Sequence, residues 1–152
     1  MQISRDIIIN RPRETVVKLF DYPENLDEWR DGFVRFTPLE GPVGLEGSTA
    51  EFVFRMGGFP VVMLETILER DLPDTFAASY VSGPITVLVT NTFTDLGDTT
   101  EWAVDSRYHI QGYMRTVFRL MPWLLAREND RILKAFKAFV ERSSPPPMSS
   151  AA

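Results

Sequence analysis

The chain has 152 residues, 44% of them hydrophobic and 24% charged, the composition of one ordinary globular domain able to close a sizeable core. Its formal charge is −5 with a pI near 4.9, and lysine and arginine form no basic run. That argues against a nucleic-acid groove or an anionic membrane surface as the main partner, and the absence of cysteine excludes disulfides and thiolate metal sites.

The N-terminal MQISRDIIIN carries charges where a secretion signal needs an apolar core. With no cysteine, the expected location is cytoplasmic. No apolar run is long enough to span a bilayer, so no integral membrane association is expected. Ile3 to Asn10 reads as a strand, led by the β-branched Ile7, Ile8 and Ile9. RPRETVVKLFDYP begins a short helix, with Pro12 suited to its first turn and Pro23 stopping it; PENLDEWRD is a second short helix or turn anchored by Leu26 and Trp29. Phe33 to Leu39 is a strand, followed by the turn-rich GPVGLEGS.

STAEFVFRM alternates most clearly, with Ala50, Phe52, Phe54 and Met56 on one face. Gly57-Gly58 turns the chain into VVMLETILER; Leu72-Pro73-Asp74 precedes TFAASYV, and Ser82-Gly83-Pro84 leads to ITVLVTNTFT. After the hairpin signal Leu96-Gly97-Asp98, the last strand sets Trp102, Val104, Ser106, Tyr108 and Ile110 against Glu101, Asp105, Arg107 and His109. These strands form an antiparallel meander with one wet face.

From Tyr113 to Arg142 the period is helical, and Met114, Phe118, Met121, Leu125, Ile132, Phe136, Phe139 and Val140 stack on one side. Two residues disturb it. Pro122 lacks an N–H, so it either kinks one long helix or starts the helix proper after a separate turn. Asn129 lies about 20° from the line through Phe118 and Phe136, at the centre of the apolar stripe. Burying an unpaired amide costs ~1–3 kcal/mol, so either a backbone group satisfies it within the core or it bonds inside a cavity. From Ser143 the Ser/Pro/Ala-rich end reads as a disordered tail, leaving residues 1–142 as the domain.

The order is strand, two short helices, six-stranded meander and long amphipathic helix. It resembles the helix-grip fold of the START-like SRPBCC superfamily, in particular its polyketide cyclase/dehydrase-like and lipid-transport-like members. The local marks are RPRETVVKLFDYPENLDEW, LEGPVGLEGS, ILERDLPD and LGDTTEWAV, and the resemblance covers residues 2–142. It implies an α+β fold in which a curved antiparallel sheet of about seven strands grips the last helix around an apolar cavity. The inward residues would then be Phe52, Phe54, Met56, Leu64, Tyr80, Trp102, Val104, Ser106 and Tyr108 from the sheet. Phe118, Met121, Leu125 and Asn129 would face them from the helix, with Pro122 bending it at the mouth.

The residues offer no familiar catalytic constellation. His109, the only histidine, shares the wet face with Glu101, Asp105 and Arg107, and one histidine without cysteine argues against a zinc or iron site. Asp21, Glu24, Asp27, Glu28 and Asp31 lack calcium-loop spacing, and Gly41, Gly44 and Gly47 enter a strand rather than a nucleotide-binding helix. No metal or cofactor is implied. The first functional expectation is binding or transport of a small hydrophobic or amphipathic ligand, lipid-, isoprenoid- or polyketide-like. The alternative is a cyclase/dehydrase-like enzyme in which Tyr80, Tyr108 or Asn129 polarises a carbonyl, although no general base is visible. A third is a homodimeric interaction protein using Trp123 and Leu124, which lie off the stripe and otherwise pack against strand ends or the tail.

Overall fold

Proline and turn chemistry set the first elements of the structure, a computed structural model that describes residues 1–145. Strand β1 (Gln2–Ile9) leads through Pro12, whose φ of −66° suits a helix entry, into α1 (Arg13–Phe20). Pro23 opens a 3-10 turn (Pro23–Asn25) that runs into α2 (Leu26–Trp29). Gly32 then bends the chain into β2 (Phe33–Glu40) at φ 78°, and its carbonyl accepts the Arg55 N–H at 2.7 Å. A side chain there would also run into the Arg55 carbonyl, so this glycine is needed twice over.

The remaining strands are β3 (Thr49–Met56), β4 (Phe59–Asp71), β5 (Thr75–Ser82), β6 (Ile85–Asp95) and β7 (Thr100–Ile110). All seven lie in one antiparallel sheet ordered β1-β7-β6-β5-β4-β3-β2. The expected sheet and its two short helices are present, and with the last helix they make a helix-grip fold.

The final helical segment is two helices, α3 (Tyr113–Leu120) and α4 (Trp123–Ser143). Met121 leaves helical geometry at φ −127° and ψ 61°, and Pro122 begins the next helix at φ −65°. Proline therefore starts the long helix rather than kinking it. Because the break resets the rotation, the stripe projected through both halves does not stay in phase. Helix α3 buries no residue, whereas α4 buries Asn129, Leu133, Phe136, Phe139 and Val140.

Helix α4 packs on β1, α1 and α2, and the main core lies there. Ile9, Val16, Phe93, Trp102, Leu133, Phe136, Phe139 and Val140 form it. Phe136 is fully buried among the rings of Phe20 (6.0 Å), Trp29 (5.1 Å) and Trp102 (4.9 Å). The expected tail begins too early. Ser143 ends α4, and the Ser144 hydroxyl accepts a hydrogen bond from Arg11 Nε at 3.1 Å. Residues 146–152 of that expected tail lie outside the described residues.

Candidate functional site

Between the concave face of the sheet, α1–α2 and the middle of α4 lies a cavity of about 440 Å³. Antiparallel pairing puts directly opposed residues on the same face. One row therefore crosses five strands, Ala50, Glu65, Tyr80, Val87 and Tyr108, and every member lines the cavity. Aromatic rings make much of the wall beside this row. Phe36 and Phe52 meet at 4.9 Å, Phe52 and Tyr80 at 6.2 Å, and Phe33 and Phe54 at 5.8 Å.

Of the expected ligand-facing residues, Phe52, Phe54, Met56, Tyr80, Trp102, Val104, Ser106, Tyr108 and Asn129 line this space. Four do not, and each has a physical reason. Leu64 is 41% exposed on the outer face, because β4 presents Met63, Glu65 and Ile67 inward. VVMLETIL is apolar on both parities, so alternation cannot choose between them, and sending the glutamate to water selects the wrong face. Phe118, Met121 and Leu125 are only half-buried and lie outside the lining. Phe118 and Met121 precede the break at Pro122, which sets α3 on a different line from α4, while Leu125 lies in the first turn of α4, one turn short of Asn129.

That same parity hides the most consequential residue. Glu65 is 7% exposed inside the apolar wall, and Tyr80 donates a hydrogen bond to its Oε2 at 2.8 Å. No buried polar side-chain atom among the described residues lacks a partner, and Oε1 receives no such bond, so Oε1 opens to the cavity. Burial raises the Glu65 pKa, with the Tyr80 hydrogen bond acting against it. Tyr80 is raised well above its ordinary value by burial first, then by the charge of Glu65 and its hydrogen bond to it. The only signal in the sequence was a lone acid within a long apolar strand.

Arg30, also missed, enters from the end of α2. Its guanidinium lies 4.9 Å from the centre of the Phe54 ring and pairs with Glu128 of α4 at 3.1 Å. At another part of the wall Arg70 grips both carboxylate oxygens of Asp21 and donates to the Gly44 carbonyl at 3.1 Å. The two ion pairs leave the cavity one unpaired carboxyl, Glu65.

Asn129 is fully engaged. Its amide nitrogen donates to the Leu125 carbonyl and to the Tyr108 hydroxyl, each at 2.8 Å, while its oxygen accepts from Ser106 at 3.2 Å. The amide is met by a backbone carbonyl, as a core residue would be, and by two side-chain hydroxyls of the cavity wall. With both amide hydrogens committed, Asn129 is not a free oxyanion donor; it aims Tyr108. The Tyr108 oxygen accepts that bond, and its own proton has no acceptor among the described residues, which leaves it to the cavity. Burial raises the Tyr108 pKa, with the hydrogen bond from Asn129 acting against it, so it is a neutral donor near pH 7. Elsewhere in the wall Trp102 donates to Asn91 at 3.1 Å, and Asn91 to the Phe76 carbonyl at 3.2 Å.

His109 is exposed on the outer face, as its parity requires. No group of three or more histidine and acidic side chains converges among the described residues. None of their helices is long and apolar enough to cross a membrane.

A seven-stranded sheet closed over α4, with an aromatic cavity between them, is the helix-grip architecture. The chain belongs to the polyketide cyclase/dehydrase and lipid transport family, whose model matches residues 1–141. It is similar in structure to a START superfamily protein from Mycobacterium smegmatis, at 15% identity and TM-score 0.77 over 94% of this chain and 99% of that one. A Streptomyces aromatase/cyclase superimposes with TM-score 0.76 at 9% identity, over 93% and 94% of the two chains. Norcoclaurine synthase from Thalictrum flavum, in complex with dopamine and hydroxybenzaldehyde, gives TM-score 0.72 at 14% identity over 95% and 88%. Identities this low establish the fold alone. No curated protein matches the sequence.

Proposed function

We propose that the protein binds a small apolar or amphipathic molecule, lipid-, isoprenoid- or polyketide-like, in the cavity between sheet and α4. The observation that carries this reading is the cavity itself: about 440 Å³, walled by aromatic and aliphatic side chains with a few aimed polar groups. That is the size and composition of a site for one small molecule. The rings would take the apolar body of the ligand. Glu65 and the Tyr108 hydroxyl would take a polar end, one as acceptor and the other as donor. Family membership supports the reading.

An anilinonaphthalene-sulfonate titration tests it, together with native mass spectrometry of the purified protein. The expected result is saturable binding of one dye per chain, abolished in Ala50→Trp, whose indole fills the space beside Glu65. Undiminished dye binding by a folded Ala50→Trp protein would put the dye elsewhere and remove the reading.

Glu65 favours a second reading, acid–base chemistry of the cyclase/dehydrase kind. A buried carboxyl with a raised pKa, beside the neutral Tyr80, is the acceptor such chemistry needs. Glu65 as carboxylate would take an α-proton from a β-dicarbonyl compound, the C–H electrons passing into the new C=C bond. The carbonyl π electrons would pass to its oxygen, giving an enolate that takes deuterium from solvent at the α-carbon. The check is hydrogen–deuterium exchange at the α-carbon of 1-phenylbutane-1,3-dione. Glu65→Gln should slow the catalysed exchange by roughly 10²–10⁴-fold, the usual worth of a positioned base. Exchange no faster than in buffer, or unaffected by Glu65→Gln, would leave ligand binding alone.

A further inference from the structure

Strand pairing gathers one set of connections at one end of the sheet. The β3–β4 turn, the β5–β6 turn and the start of α3 lie there, tied by the Gln111 N–H donating to the Pro84 carbonyl at 3.0 Å. Residues 52–64, 78–89 and 106–127, which build this end, contain no aspartate or glutamate, although the chain carries 21 and a net charge of −5. The same stretches hold Arg55, Arg115, Arg119 and Arg127, all exposed and without a salt-bridge partner among the described residues. Arg107 is also there, already paired with Asp105. The nearby carboxylates Asp31 and Glu128 are likewise engaged, with Arg131 and Arg30.

Large apolar side chains stand in water at this same end. Phe59 is 75% exposed, Tyr113 79%, Leu120 70%, Trp123 53% and Leu124 39%. In α3, Tyr113 and Leu120 lie on one edge of the exposed face and Arg115 and Arg119 on the other; past the break Trp123 and Arg127 are one turn apart in α4, with Leu124 beside them.

We propose that this end docks on an anionic phospholipid bilayer, with Leu120, Trp123 and Leu124 entering the interface and the four free arginines meeting headgroup phosphates. Charge decides between the occupants. In an isologous dimer the patch would meet itself, bringing four arginines against four with no carboxylate in the patch to pair them. A phosphatidylglycerol surface supplies the missing negative charge, and exposed aromatic and aliphatic side chains at the same end as free arginines suit a membrane interface. The acidic net charge of the chain conceals the patch, because the carboxylates lie elsewhere. The docking does not depend on what the cavity holds.

Co-sedimentation with vesicles of phosphatidylcholine, alone and mixed with phosphatidylglycerol, tests this. The full chain should bind the mixed vesicles, bind neutral ones weakly, and release as salt rises. Arg115→Gln and Arg119→Gln should each weaken binding about fivefold. Trp123 emission should shift to shorter wavelength on binding, and Trp123→Ala should weaken sedimentation while leaving the circular dichroism spectrum unchanged. Three results would overturn the proposal: no binding to mixed vesicles, binding indifferent to lipid charge, or a solution dimer that Trp123→Ala dissociates.

Discussion

Glu65 shows how one residue can be written into an apolar strand and still be polar by purpose. Burying a carboxyl without an opposite charge is costly, and the molecule meets that cost with the Tyr80 hydroxyl and by favouring the protonated form. The pH dependence follows in sign. Because the folded pKa lies above the ordinary 4.5, the native state holds this proton to higher pH than the unfolded chain does. The Glu65 contribution to stability therefore falls as pH rises from 4.5 through the folded value, and stays low above it. Glu65→Gln cannot titrate, so its melting temperature relative to the parent should climb across that window and then level. A difference that is flat with pH would mean that Glu65 is solvated. Asn129 makes the opposite case, a buried polar group with every bond met. Asn129→Ala leaves the Ser106 hydroxyl without its acceptor and unties Tyr108, and should cost ~1–3 kcal/mol in urea denaturation.

Among the elements, the join between α3 and α4 matters most for where side chains point. A proline inside a helix would cost about 3 kcal/mol, and replacing it by alanine would recover that amount. At the start of a helix the sign reverses, because Pro122 restricts the unfolded chain at no native cost. Pro122→Ala is thus expected to lower stability by about 1 kcal/mol or less; a gain of several kcal/mol would show that the two helices strain to be one. Amphipathic periodicity identified the helical region from Tyr113 to Arg142, including the central place of Asn129. It could not carry phase across Pro122, so Phe118 and Met121 were assigned to a wall they do not reach; Leu125, in the first turn of α4, stops short of the cavity.

Across the whole molecule, solid core and open cavity are separated along α4. Phe136 and its ring of aromatics close one part, while the stretch from Glu128 to Leu133 faces the cavity. Stability therefore rests on the solid part. Phe136→Ala should cost roughly 3–5 kcal/mol by chemical denaturation. Substitutions in the wall, such as Met56→Leu, should change it by less than about 1.5 kcal/mol.

Period-2 alternation and turn residues were enough to determine the number and direction of the strands, and helical periodicity the terminal region, because both depend only on neighbours in sequence. The wall of Phe52, Phe54, Trp102, Val104, Ser106 and Tyr108 was legible for the same reason: those strands are apolar on one face only. The side of the sheet that Glu65 faces, the entry of Arg30 and the gathering of the acid-free stretches at one end depended on register and on packing between distant segments. Where both faces of a strand are apolar, or where a charge sits far along the chain from the groups that satisfy it, only tertiary structure supplies the partner that decides.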